Sequence, residues 1–463
     1  MHAALRQVPL PDFGSPVEQP VVPSDIYRER FARFVSRCRA MGLHAVMVYG
    51  DREHSANISY LTGFDPRFEE ALLIVPPTGD PAILTGPENQ GFAKAAPIDA
   101  NVVLYPPFGL LGQDRSKTPP LEDLLKACGI SAGSAVGVIG WKYFGRQEAP
   151  APETWFEIPS YLVDAIRQVT GTSGRVVNAA TVLMHPSDGM RAVNEIEQLA
   201  AFEFAACHTS SAVRRVVRGV RVGMREFDAA RLLAPLGLPL SCHTMLSSGP
   251  RAALGFGSPG SRVIQHGDPI TVAYGVAGAL NCRAGWMISQ ESELPAEAGN
   301  YIERLAAPYY ATVAEWYEGL GIGVPGGVLF ERVANRLGDP FFGVFLNPGH
   351  LIHLDEWMNT PIYRGSIEPL ASGQAIQVDV IPATGTPYFT SNVEDGVALL
   401  DEPSRSALAE RFPDMWSRIQ HRRDFMASAL GIRLRPEVLP FSNMPAYLTP
   451  FFLSPEHAMV VQR

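Results

Sequence analysis

The chain has 463 residues, of which 46% are hydrophobic and 18% charged, a composition typical of a globular protein with two or three domains. Its formal net charge is −9, and the sequence contains no basic run, which argues against nucleic acid or anionic lipid as the main partner. A small-molecule substrate is therefore the expected partner.

The sequence shows no sign of export or of membrane insertion. No stretch approaches the roughly 18 consecutive apolar residues of a membrane-spanning helix, and the N-terminus lacks the pattern of a secretory signal. The five cysteines are scattered and never form a Cys-x-x-Cys pair, which favours reduced thiols over a disulfide or zinc framework. We expect a cytoplasmic protein without a membrane partner.

Three regions follow one another along the chain. Residues 1–25 carry five prolines and are predicted to form an extended N-terminal arm. In residues 26–180, short apolar runs at 44–49, 70–75, 81–84, 101–105 and 135–139 alternate with helical stretches such as 121–127. This alternation predicts an α/β domain.

Residues 181–463 have a different pattern. A long helix is predicted at 190–217, because its apolar residues recur with the helical period. Shorter helices are predicted near 225–233, 301–320 and 329–337, and strands at 270–274, 286–288, 375–381 and 396–400. Pairs of helices and groups of strands thus occur twice, which predicts an α+β domain with an internal repeat. From about residue 402 a C-terminal extension follows, with a helix at 413–430 and a proline-rich tail.

Five short motifs occur in the order in which they occur in a known family. They are Asn57-Ile-Ser-Tyr-Leu-Thr-Gly-Phe64, Asn194-Glu-Ile196, Ser248-Gly-Pro250, Pro348-Gly-His350 and Glu394-Asp395. In this respect the chain resembles the creatinase, prolidase and aminopeptidase P family over about residues 26–400. The resemblance implies an α/β N-terminal domain, a C-terminal domain with the pita-bread fold shared with methionine aminopeptidases, and a homodimer.

The resemblance also implies a set of metal ligands that this sequence keeps only in part. Peptidases of the family bind two divalent metals through two aspartates, one histidine and two glutamates, since such cations need several anionic oxygens. Here no Asp or Glu occurs between Asp268 and Glu291. The two aspartate positions fall on Ala273 and on or beside Cys282-Arg283.

The remaining ligand positions are better preserved. His350 keeps the histidine position in Gly-His-Leu-Ile-His-Leu, and Glu394 keeps the last glutamate position. Asp379 is the acid nearest to the other glutamate position. Two matched ligands, or three if Asp379 is counted, thus remain of five, and an arginine beside this cluster would further repel divalent cations. The sequence therefore predicts a centre without a metal and without a cofactor.

Candidate catalytic residues are His350, His353 and Glu394. Either histidine is a candidate acid/base, with Asp355 orienting His353, although a structural role remains open for both. Glu394, with Asp379, is expected to hold a cationic or amide group of the substrate. The alternative for Glu394 is a carboxylate bonded to backbone amides at a strand end.

Further residues are candidates for substrate binding. Arg283 or Arg67 is expected to bind a substrate carboxylate. The resemblance suggests that Phe64 and Arg67 reach the active site of a partner subunit, whereas a salt bridge with Glu69 or Glu70 within the loop is the alternative for Arg67. Phe256 stands where the family has a substrate-binding histidine. Cys282 is a weaker candidate, because no activating histidine lies near it in the sequence.

Taken together, these features predict a metal-independent, creatinase-like hydrolase. Its expected reaction is cleavage of a C–N bond, amidino or amide, in a small polar compound that bears a carboxylate. Two alternatives remain: a metal-dependent Xaa-Pro dipeptidase or aminopeptidase, and a catalytically inactive binding protein with the pita-bread fold.

Overall fold

The computed structural model describes residues 1–356, 358–385 and 387–463, which form two compact units. The N-terminal unit contains residues 22–192, and the C-terminal unit contains residues 1–21 together with residues 193–463. The division thus follows Ala192, whereas the sequence suggested a boundary near residue 180. Most of the predicted N-terminal arm belongs to the C-terminal unit.

The strands follow the apolar and β-branched runs of the sequence. In chain order they are β1 His2–Gln7, β2 Ala45–Gly50, β3 Ala71–Val75, β4 Ala82–Thr85, β5 Asn101–Leu104, β6 Ala135–Ile139, β7 Arg175–Asn178, β8 Met245–Ser248, β9 Pro269–Val276, β10 Ala279–Trp286, β11 His350–Leu351, β12 Ala375–Asp379, β13 Asn392–Leu399, β14 Val438–Pro440 and β15 His457–Gln462.

The helices are amphipathic where one face packs on a sheet. They are α1 Ser24–Ala40, α2 Ala56–Thr62, α3 Gln90–Lys94, α4 Leu121–Ala127, α5 Ser160–Thr170, α6 Thr181–Met184, α7 Ile196–Gly219, α8 Glu226–Ala230, α9 Ala307–Gly319, α10 Gly326–Leu337, α11 Glu402–Arg411 and α12 Pro413–Ser428. No helix of the described part of the chain is both long and apolar enough to cross a bilayer.

The N-terminal unit is built on a mixed six-stranded sheet. The strand order is β5-β4-β3-β2-β6-β7, with β2 parallel to β6 and antiparallel to β3. Strands β2, β3 and β4 are buried along their whole length, which explains their continuous apolar sequences. In the family-like motif, Asn57 donates to the carbonyl of Gly140 and accepts from Arg191, so this motif has a structural role inside the unit.

The C-terminal unit is built on an antiparallel sheet with the order β11-β12-β13-β10-β9-β8, and β14 pairs with β13. Helix α7 packs against β9 and β10. Strand β1 pairs with β15, so the first residues of the chain and its last residues form one ribbon. The hydroxyl of Tyr447 donates to the carbonyl of Val8, which ties the C-terminal extension to the N-terminal segment.

A buried ion pair joins the extension to the sheet. Arg283 on β10 contacts both carboxylate oxygens of Asp395 on β13 at 3.0 Å, and both side chains are at most 1% exposed. Arg283 also donates to the carbonyls of Met444 and Tyr447, while Asp395 accepts from the amide of Ala446. The pair therefore anchors the C-terminal extension beneath one face of the sheet.

Replacing Asp395 by alanine is expected to lower the free energy of unfolding by about 3–5 kcal/mol, because it leaves the Arg283 guanidinium buried without a counter-charge. Urea denaturation measures the loss. The matched control is Glu331→Ala in the same unit, whose partner Arg364 lies 3.9 Å away in a largely exposed pair; it is expected to cost less than about 1 kcal/mol. Equal losses in the two variants would contradict the structural role of the buried pair.

Candidate functional site

A row of side chains crosses the C-terminal sheet on one face. Ala273 lies opposite Cys282, Cys282 opposite Glu394, and Glu394 opposite Asp379. Cross-strand partners share a face, with Cβ atoms about 4.5–5.5 Å apart. These four residues, which we call the site row, therefore place two carboxyl groups and a thiol side by side.

His350 joins the site row from the neighbouring strand. It pairs with Gln377 on β12, two residues before Asp379. The preceding Gly349 has φ +141°, and a Cβ there would lie 2.9 Å from the carbonyl oxygen of Gln377, so only glycine fits at this position. Single ligand atoms of His350, Asp379 and Glu394 all lie within 4.8 Å of one another.

The orientation of the His350 ring follows from its hydrogen bond. Its Nδ1 lies 3.2 Å from the carbonyl oxygen of Leu351, which requires the proton on Nδ1. The lone pair on Nε2 then faces the acids, 3.5 Å from Glu356 Oε1 and 4.0 Å from Asp379 Oδ2. Burial lowers the pKa of His350 and outweighs the charge of Asp379, which raises it. The ring is therefore neutral, and the lone pair of Nε2 can act as a ligand on the side of the cluster.

The carboxyl groups of the cluster hold their protons unusually tightly. Burial raises the pKa of Glu356 to about 7, and the charge of Asp355 adds to the shift. Burial raises the pKa of Asp379 to about 6 against the opposing effect of His350. Burial, together with the charges of Asp379 and Glu356, raises the pKa of Glu394 well above its usual value. Glu356 was not among the residues predicted from the sequence.

Arg283 does not face this cluster, contrary to the expectation that it binds a substrate carboxylate. Successive residues of a strand point to opposite faces, so Cys282 belongs to the site row while Arg283 points away from it. Its guanidinium is completely buried against Asp395. Repulsion by this arginine, one of the two reasons for expecting an absence of metal, is therefore removed, whereas the loss of both aspartate positions stands.

His353 has a different environment from His350. Strand β11 ends at Leu351, and the completely buried ring of His353 packs edge-on against Phe202 of α7, with ring centroids 5.1 Å apart. The backbone amide of His353 donates to the carbonyl of Asp355. These contacts favour a packing role for His353. Asp355 is adjacent to Glu356 in the sequence, and the charge of Asp355 raises the pKa of Glu356.

The other predicted substrate contacts lie elsewhere. Phe64 is buried in the N-terminal unit, so its ring is not available to a substrate. Arg67 forms a salt bridge within the loop with Asp65, an acid other than the two expected from the sequence. The side chain of Phe256 is largely exposed, and its carbonyl oxygen lies 2.9 Å from His243 Nε2. Within the C-terminal unit, the described contacts do not bring Phe256 to the site row. Contact of Arg67 with the active site of a partner subunit stays a prediction.

Two thiols lie near the acids. Cys282 occupies the site row, and burial raises the pKa of its thiol, with further contributions from Glu394 and Asp379. Burial likewise raises the pKa of Cys242 to about 12, and the charges of Glu356 and Glu394 add to it. Neither thiol is prepared as a thiolate nucleophile by these surroundings.

The residues of the site row fit one divalent cation and do not fit two. Ala273 has no ligand atom at the first of the two aspartate positions implied by the resemblance, and a single sulfur replaces the other. His350, Asp379 and Glu394 nevertheless provide an imidazole and two carboxylates, a donor set that divalent cations accept. In addition, the buried Oδ1 of Asp379 has no hydrogen-bond partner within the described residues.

The fold of the chain is that of known peptidases. No family model and no curated protein matches the sequence. Among solved structures, the prolidase from Pyrococcus horikoshii OT3 is 14% identical, with a TM-score of 0.61 over 80% of this chain and 95% of that one. The dipeptidase PepE from Mycobacterium ulcerans is 18% identical, with a TM-score of 0.60 over 82% and 94%. The X-Pro aminopeptidase from Thermotoga maritima MSB8 is 17% identical, with a TM-score of 0.61 over 80% and 95%.

These similarities establish the fold. The chain has the architecture of the prolidase and aminopeptidase P structures, an α/β N-terminal domain followed by a pita-bread domain, as the sequence motifs predicted. The similarity extends over nearly the whole length of the solved chains, so both units are included in it.

The two histidines are expected to differ in their effect on stability. His353→Ala is predicted to lower the free energy of unfolding by about 2–4 kcal/mol, because it leaves a cavity beside Phe202. His350→Ala is predicted to lower the free energy of unfolding by less, because the ring of His350 lies among buried carboxyl groups and not in an apolar contact. Urea denaturation of both variants provides the comparison, and a larger loss for His350→Ala would contradict the assignment.

Glu394→Gln is expected to stabilise the chain at pH 8 in the presence of a chelator. Because the pKa of Glu394 in the folded chain lies above the unfolded value of about 4.3, stability falls as the pH rises past that value. The neutral amide removes this loss. The gain should shrink towards about pH 4, where both states carry the proton. Urea titrations at the two pH values test this, and a gain that does not change with pH would contradict it.

Proposed function

We propose that this chain is a hydrolase that cleaves a C–N bond in a small amide or peptide-like compound, with one divalent cation in its centre. The observation that carries the proposal is the approach of ligand atoms of His350, Asp379 and Glu394 to within 4.8 Å of one another. The fold supports it as well, since the similar solved structures bear the names of prolidases, a dipeptidase and an X-Pro aminopeptidase. A dipeptide with proline in second place is therefore the first substrate to try.

The side chains of the centre have different roles. When bound, a divalent cation supplies Lewis acidity toward a carbonyl oxygen and toward water. His350 is held in one tautomer by Leu351, so that Nε2 is available as a ligand. Oε1 of Glu356 lies 3.5 Å from Nε2 of His350, so this carboxyl group is placed beside the cation position, where it can accept and return a proton.

A second candidate is the metal-independent hydrolase predicted from the sequence. It is favoured by the loss of both aspartate positions and by the raised pKa values of Glu356 and Asp379, which allow acid–base chemistry without a cation. In that case His350 and Glu394 act directly on the substrate. For both candidates we propose a cytoplasmic homodimer, as the sequence and the family resemblance suggested.

Metal analysis separates the two candidates. The purified chain is expected to bind one divalent cation, and saturation at about 100 times the dissociation constant should add about 2.7 kcal/mol of stability. Equilibrium dialysis and thermal unfolding, each with zinc, cobalt and manganese, provide the measurements. Glu394→Gln and Asp379→Asn are expected to lose the stabilisation, because each removes a carboxylate ligand.

The control is Glu331→Gln, which lies away from the site row and should bind the cation as the parent does. Two cations per chain would contradict the interpretation of Ala273. Hydrolysis of amides or Xaa-Pro dipeptides that persists in the chelated protein would support the metal-independent candidate. Binding of such compounds without turnover, with and without cations, would instead support an inactive binding protein.

A further inference from the structure

Cys282 occupies a position in which a sulfur can complete the centre. On β10 it lies directly opposite Glu394 on one side and Ala273 on the other. It is thus a direct cross-strand neighbour of a ligand carboxylate on the same face of the sheet. The Arg283–Asp395 pair lies on the opposite face, and the charge of Glu394 acts more strongly on the thiol than the opposing charge of Arg283.

Two buried side chains on the face of the sheet that carries the sulfur have polar atoms without partners. Asn392, which is 4% exposed, places Nδ2 3.2 Å from Sγ of Cys282, while its Oδ1 has no hydrogen-bond partner within the described residues. Gln377 is completely buried on the same face and donates to the carbonyl of Leu280, while its Oε1 likewise has no such partner. Buried polar atoms without partners are rare in proteins and indicate a missing ligand or water.

We propose that Cys282 is a further ligand of the cation, so that the centre binds through one imidazole, two carboxylates and one thiolate. This inference rests on the proposed function, because it requires a cation on His350, Asp379 and Glu394. In the structure Sγ points to Asn392 and is not among the atoms that lie within 4.8 Å of one another. Coordination by Cys282 therefore requires rotation about its Cα–Cβ bond to another staggered position. Binding then releases the thiol proton to solvent.

A thiolate in place of an aspartate would change which cation the centre selects. Mg²⁺ and Mn²⁺ prefer oxygen ligands, whereas a thiolate favours borderline and soft cations such as Zn²⁺, Co²⁺ and Cd²⁺. Four protein ligands suit the tetrahedral geometry of zinc, which can expand to five-coordination during a reaction. Ala273, opposite Cys282, adds no donor and little bulk, which leaves that side to a water molecule or a substrate oxygen.

Cobalt spectroscopy tests the assignment independently of activity. The Co²⁺-loaded chain is expected to show near-ultraviolet absorption from charge transfer between thiolate and cobalt, and Cys282→Ser is expected to lose it. The same variant should weaken binding of Cd²⁺ by at least about tenfold, the lower end of the effect of removing an outer partner of a metal site. Its affinity for Mn²⁺ should change much less.

Two cysteine controls make the result specific. A side chain at Gly275 would come within 3.1 Å of Cys242 Sγ, so Cys242 is a second thiol near the row, and Cys242→Ser is expected to keep the absorption. Cys128→Ser, in the N-terminal unit, should also keep it. Cobalt that binds to the parent chain without the absorption, or an absorption lost only in Cys242→Ser, would overturn the assignment of Cys282. Absence of any bound cobalt would overturn the cation proposal itself and this inference with it.

Discussion

The buried pair between Arg283 and Asp395 is the interaction on which the rest of the C-terminal unit depends. Each residue directly follows a member of the site row, Cys282 and Glu394 respectively, so the pair fixes which face of β10 and β13 carries the chemistry. A shift of one residue in the pairing would exchange the faces and turn the acids of the site row to the side now occupied by the ion pair. The same pair binds carbonyls of the C-terminal extension and so attaches the extension to this domain.

The site row has a different electrostatic character from the layer beneath it. Below the sheet, the charge of Asp395 is compensated by Arg283, the side-chain amide of Asn281 and the backbone amide of Ala446. In the site row, the buried carboxyls face one another and a neutral imidazole. Carboxyl groups arranged in this way are destabilising when ionised, and the raised pKa values express that cost. Such an arrangement is typical of a site that binds a cation or transfers protons, since a purely structural role would favour apolar side chains.

Much of the architecture could be predicted from the sequence. Helix α4 and strand β6 occupy the predicted residues, and the order of the motifs correctly indicated a pita-bread domain. Strand β13 was predicted to begin at residue 396 but begins at Asn392, because the polar run Asn-Val-Glu-Asp does not resemble a buried strand. Strand β10 was largely missed for the same reason: its apolar residues alternate with Asn281 and Arg283.

The site itself depended on information that a single sequence does not contain. The type of residue at positions 350, 379 and 394 suggested a cluster, but only the register of three antiparallel strands places these side chains beside one another. The direction of Arg283 could be decided only once β10 was recognised as a strand. Glu356 reaches the cluster from a turn after β11, and no periodic pattern marks it.

Charge balance favours one cation over two in this centre. A pair of divalent cations brings four positive charges, and the peptidase pattern offsets them with four carboxylates. In the proposed centre, the two carboxylates of Asp379 and Glu394 would neutralise a single divalent cation and would leave a second one uncompensated in a buried site. Loss of the aspartates would therefore reduce the number of cations without removing the reason to bind one. The proposed thiolate of Cys282 would make the ligand set softer, and with it change the choice of cation, without a change in the fold.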